Sequence, residues 1–94
     1  HVAFAMHEEL GLAVTVLRYF GGYGDFQHKG WLGGPQSVFM ERAFEGLPLP
    51  VHGDGLQRRT FTHADDLVDG TVRALFSDRA VGELYNVGGA AEYT

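Results

Sequence analysis

Apolar positions recur at two periods along this chain, and the switching between them predicts its elements. Val2, Met6 and Leu10 share one stripe of a helix over 2–10, with Ala3 and Ala5 as helix formers and Gly11 as its C-terminal stop. Residues 13–20, AVTVLRYF, are rich in β-branched and aromatic side chains and read as a buried strand. Residues 21–34 read as a long Gly- and aromatic-rich loop. Pro35 suits the first turn of a second helix, which runs to Glu45 with Val38, Phe39, Ala43 and Phe44 as its apolar face and Gly46 after it. Short strands are expected at 49–52 and 59–62, on either side of a Gly53-Asp54-Gly55 turn. A third helix, 64–76, places Val68, Val72, Leu75 and Phe76 at helical spacing; a last strand, 83–87, ends at Gly88-Gly89.

Helices alternating with strands argue an α/β fold. The strands at 13–20 and 83–87 are expected to lie parallel in one sheet, with the segment between them crossing one face. His1 is a weak helix cap, and Thr94 stands where it could cap a further helix, so both ends read as cuts through a larger protein. A 94-residue α/β piece buries little surface and is expected to need company, by self-association or by its missing neighbours, with association through the uncovered edges of these two strands.

Composition narrows the chemistry. No cysteine is present, which excludes disulfides, a thiol nucleophile and a cysteine-based zinc site. Seven Lys and Arg against twelve Asp and Glu give a formal charge of -5, which argues against a nucleic-acid partner but leaves room for one small anion held by one or two arginines. No apolar run approaches the ~18 residues of a membrane span, and without a signal-peptide pattern the context reads as cytoplasmic. His1, His7, His28, His52 and His63 show no metal-ligand spacing, because His7-Glu8-Glu9 has no second histidine one helical turn on. Asp65 and Asp66 resemble an acid/base pair, but they open a helix, where capping and the dipole explain them. Free N–H groups at Gly33-Gly34-Pro35-Gln36-Ser37 offer a place for a phosphate, against the plainer reading of a loop-to-helix junction.

Three stretches in register resemble the extended short-chain dehydrogenase/reductase family, the NAD-dependent sugar-nucleotide epimerases and dehydratases. They are Leu17-Arg18-Tyr19-Phe20 with Tyr23-Gly24; Val51-His52-Gly53-Asp54-Gly55 with Gln57, Arg59, Phe61 and Asp65-Asp66-Leu67; and Leu84-Tyr85-Asn86-Val87-Gly88-Gly89. The resemblance covers the whole chain but only the back portion of such an enzyme. It implies a partial Rossmann-like parallel sheet plus a small substrate-binding part: 1–20 the end of the Rossmann half, 21–82 the substrate-binding part, and 83–94 the returning strand and tail.

The resemblance also implies roles. Arg59 contacts the nucleotide diphosphate, for which a guanidinium fork is suited; the alternative is a surface arginine paired to Asp54 or Asp66. His52 stands where the family stacks an aromatic ring on the base, the alternative being a half-buried strand histidine. Pro50 and Gly53 flank that pocket, Gln36 and Phe39 line the sugar-nucleotide site, and Gly21 replaces an Asn that many members use on the substrate. Tyr19 and Phe20 end the strand beside the nicotinamide, with core packing the alternative reading. Two family features have no counterpart. Gly21-Gly22-Tyr23-Gly24 does not fit the Gly-rich dinucleotide turn, and Lys29, the one lysine, has no Tyr four residues before it. The chain is therefore expected to carry no catalytic residue, to bind a nucleotide-diphosphate sugar and not NAD when alone, and to form a homo-oligomer. The alternative is a non-enzymatic self-associating module derived from the same fold.

Overall fold

The computed structural model describes residues 2–94, so the reading of His1 lies outside them. Helix α1 spans Val2–Leu10, and Gly11 ends it in the left-handed conformation at φ 67°, its N–H donated to the His7 carbonyl at 3.0 Å. Strand β1 is Val16–Tyr19 and β2 is Gly22–Tyr23; a 3₁₀ turn, Gly30–Gly33, leads into α2, Gly34–Phe44. Strands β3, Arg59–Thr60, and β4, Thr62–His63, run into α3, Ala64–Leu75. A second 3₁₀ turn, Asp78–Ala80, precedes β5, Leu84–Val87, and β6 is Glu92–Tyr93.

The parallel pairing expected of the two main strands is present. Val16 faces Leu84 and the register runs through to Tyr19 opposite Val87. Both strands are shorter than their β-rich sequences suggest. The lead-in to β1 is instead tied to the turn before β5, by Thr15 Oγ1 donating to the Ala80 carbonyl at 2.7 Å and Gly82 N–H to the Val14 carbonyl at 2.7 Å.

Three readings need correction. The segment 49–52 forms no strand, because Pro48 and Pro50 have no N–H to give a ladder. The 21–34 loop is not structureless: it holds β2, which pairs parallel with β4, and a 3₁₀ turn. The strand at 59–62 is two strands broken at Phe61, and they pair with different partners. The segment after Gly89 holds β6, which returns antiparallel to β3 with Tyr93 opposite Arg59.

The apolar stripes are also turned differently from expectation. Val2 and Leu10 on α1, Phe44 on α2, Val68, Val72 and Leu75 on α3, and Phe76 just after it are exposed. On α3 the half-buried side is Leu67, Gly70, Thr71 and Ala74. Gly70 lies against Val87, and the Tyr19 hydroxyl bonds to Thr71 Oγ1 at 2.7 Å. Small side chains let the helix approach the sheet closely, and the bulkier stripe is left facing outward. The N-cap of α3 is His63, whose Nδ1 accepts from the Asp65 N–H at 3.3 Å; Asp65 and Asp66 occupy the first turn, where they favour the dipole.

The core is correspondingly thin. Val38 and Ala80 are the buried apolar residues among those described, and Thr62 is the buried polar one. The radius of gyration is 17.3 Å, against about 12 Å for a compact domain of this length. The accessible surface is 7586 Å², against roughly 5,400 Å² for a monomer of this mass. No helix among the described residues is long and apolar enough to cross a membrane.

Candidate functional site

The tight turn between His52 and Arg59 builds the site. Gly53 and Gly55 both take positive φ, 72° and 74°, and the Asp54 carboxylate accepts the Leu56 N–H at 3.0 Å, an Asx turn that reverses the chain. The segments before and after it then wall one cavity of about 420 Å³. Pro50 and His52 come from one side, Gln57 and Arg59 from the other, and Phe39 on α2 closes it. Four residues expected at the substrate site, Arg59, His52, Pro50 and Phe39, therefore line the same space.

Arg59 is exposed, but its guanidinium is held. Nη1 donates to the Arg58 carbonyl at 3.0 Å and Nη2 to Gln57 Oε1 at 2.8 Å. Pairing of β3 with β6 fixes its backbone. Neither Asp54 nor Asp66 pairs with it, and among the described residues it makes no salt bridge; Glu92 is taken by Arg58 at 3.1 Å. Both acceptors are neutral, so the positive charge is uncompensated and three of five N–H donors remain for a ligand. A planar fork of this kind suits the oxygens of a phosphate or diphosphate.

The remaining predicted residues fall elsewhere. Gln36 lines an adjoining cavity with Tyr23, Met40, Phe61 and Tyr93, and Phe61 is the wall the two cavities share. Gly53 shapes the turn but does not line the cavity. Gly21 lies against the Thr60 backbone and gives its carbonyl to the Thr62 N–H at 3.0 Å. The N-terminus of α2, capped by Gly33 without a side-chain bond, does not open onto the Arg59 cavity. Among the described residues, no three His, Asp or Glu cluster as metal ligands.

Tyr19 and Phe20 part company at the end of β1. Tyr19 turns to Thr71, whereas Phe20 lies against Gly88 and lines a hollow with Thr60, Asn86, Gly89 and Glu92 at the carboxyl ends of β1 and β5. Ligands of open parallel sheets sit at such ends. The chain after Phe20, however, runs directly into β2 and starts no helix there, so no helix N-terminus faces a pyrophosphate at that point.

Sequence reasoning missed Trp31, Val51, Gly55, Gln57, Phe61 and Thr94 as cavity residues. Thr94 arrives by the β3–β6 pairing, which has no local signature. Trp31 did have one: it is the only tryptophan in the chain, set in a Gly-rich loop.

Comparison with known proteins gives the family. The model of the NAD dependent epimerase/dehydratase family matches residues 1–88. The chain is 39% identical over 82 residues to a UDP-N-acetyl-alpha-D-glucosaminuronate decarboxylase of Bacillus cytotoxicus, a match covering 87% of this chain and 25% of that protein. It is 36% identical over 94 residues to a dTDP-glucose 4,6-dehydratase of Haemophilus influenzae, covering 100% of this chain and 27% of the relative. Among solved structures, the UDP-glucuronic acid 4-epimerase of Bacillus cereus in complex with UDP-glucuronic acid and NAD superposes with a TM-score of 0.81 at 31% identity, over 99% of this chain and 29% of that one. The chain thus spans about a quarter of the length of the curated relatives it matches.

Proposed function

The chain belongs to the NAD dependent epimerase/dehydratase family, and on that premise we propose that it is the part of such an enzyme that holds a nucleotide-diphosphate sugar, with no hydride transfer of its own. The observation that carries this reading is the Arg59 guanidinium, free of any carboxylate, at the wall of a cavity that also holds His52, Pro50 and Phe39. Arg59 binds the diphosphate. His52 offers its ring to the base, and Phe39 and Pro50 exclude water along the side of the ligand. Gln36, one wall away, reaches the sugar end of the same ligand. When bound in the whole enzyme, NAD would supply the oxidation and re-reduction of a sugar carbon, and Tyr19 and Phe20, at the carboxyl end of β1, would flank its nicotinamide. We assign 1–20 and the β5 strand to the Rossmann half and 21–82 to the substrate-binding part, with β6 clasping Arg59.

Titration of the 94-residue chain with UDP-glucose and dTDP-glucose by calorimetry tests the reading. Saturable binding of at least one, weakened at least about tenfold by Arg59→Ala, is expected, since a hydrogen bond to a charged group contributes about 1.5–3 kcal/mol. No binding of either, or unchanged binding by the variant, overturns it.

A second reading, a self-associating module without ligand, is favoured by a different observation. The exposed surface exceeds that of a compact monomer by roughly 2,000 Å², and β1 and β5, paired only with each other among the described residues, each present an open edge.

A further inference from the structure

Trp31 sits on the 3₁₀ turn Gly30–Gly33, and that turn is anchored from both ends. The Gly30 N–H donates to Glu41 Oε2 of α2 at 3.1 Å. The Gly33 carbonyl accepts the Gln27 side-chain amide and the Ser37 hydroxyl, the latter at 3.3 Å. Gly33 itself is buried, and no side chain fits there because the His28 carbonyl fills the space. The indole is thus presented from a braced turn. It is nonetheless 56% exposed, an apolar surface kept open beside a cavity.

Its neighbour in the cavity wall is His52. The ring centroids are 5.2 Å apart with planes inclined at 63°. Rings this close and this steeply inclined leave no slot between them; they form a corner. A flat heterocycle fits such a corner by stacking on one face while turning its polar edge toward the other ring. A pyranose, which has no π face, gains less there. Arg59 lines the same cavity and supplies the cation for an attached diphosphate.

We propose that Trp31 is the specificity-determining residue of this site: its indole face is the stacking platform for a nucleobase, and the His52 ring meets the base edge. This rests on the reading of the cavity as a nucleotide-diphosphate site. It assigns the base, as distinct from the phosphates, to a residue of the 30–33 turn.

Because Trp31 is the only tryptophan, emission from the unmodified chain reports on that residue alone. UDP is expected to quench it saturably, whereas inorganic pyrophosphate, followed by calorimetry, binds without quenching. Trp31→Ala is expected to weaken UDP binding by about tenfold, as loss of one base–aromatic stack does, and to leave pyrophosphate binding unchanged. Trp31→Phe keeps UDP within about threefold, because a π face remains. Arg59→Ala weakens both ligands. Unchanged emission at saturating UDP, or full UDP affinity in Trp31→Ala, overturns the assignment while leaving the diphosphate reading intact. Quenching by glucose 1-phosphate but not by UDP also overturns it, by giving the indole to the sugar. Failure of both UDP and pyrophosphate to bind overturns the cavity reading and this assignment with it.

Discussion

The carbonyl oxygen of Thr60 occupies the space that a side chain on Gly21 would need. Gly21 also has φ 48°, and its own carbonyl accepts the Thr62 N–H at 3.0 Å, so this close approach joins the end of β1 to the β3–β4 segment that carries Arg59. The position is thus decided by backbone crowding.

Gly21→Ala is accordingly expected to cost more than the ~1–3 kcal/mol of positive-φ strain alone. A thin core leaves little margin for that. Gly22→Ala, by contrast, meets only the flexible end of Leu67 at 2.9 Å and is expected to cost less. Urea midpoints followed by circular dichroism check the order; equal midpoints for the two variants would contradict it.

Gln57 holds the Arg59 fork with a neutral oxygen at 2.8 Å. Gln57→Ala removes one exposed orienting bond of at most about 1 kcal/mol, so UDP-glucose affinity should fall a few-fold. Gln57→Glu instead places a carboxylate on the guanidinium, which then competes with the ligand for it; a loss of at least about tenfold is expected. Calorimetry on both variants reads the difference, and a glutamate variant that binds as well as the parent would show that Arg59 does not meet an anion.

Thr62 is the buried polar residue among those described, and its Oγ1 accepts the Gly89 N–H at 2.7 Å. Thr62→Val keeps the shape but strands that donor. A loss of about 1–3 kcal/mol is expected, with Thr62→Ser retaining most of the stability. The measurement is chemical denaturation, and a valine variant as stable as the parent would mean that water satisfies Gly89.

The exposed α3 stripe and the open edges of β1 and β5 predict association. Sedimentation velocity should show a coefficient that rises with concentration. Val72→Glu with Leu75→Glu should reduce that rise if the stripe, 45% and 72% exposed at these positions, is the contact; persistence in the double variant assigns it to the strand edges. A coefficient independent of concentration contradicts association altogether.

What was legible along the chain was local. Gly11 and Gly46 stop helices because each follows a helix in a conformation that glycine adopts freely. Pro35 opens α2, the 53–55 turn forms, and β-branched residues fall in β1 and β5. Arg59 and His52 were named from a motif whose turn alone brings them to one cavity. The tertiary structure decided what depends on distant partners. Two-residue strands such as β2 and β6 carry no period to read; they exist because Gly22 finds Thr62 and Tyr93 finds Arg59. Which face of α3 is covered followed from close approach of Gly70 to Val87, not from which residues are most apolar. Trp31 joined the site because a braced turn carries it across to His52, a relation between residues 21 positions apart that no helical or strand spacing encodes.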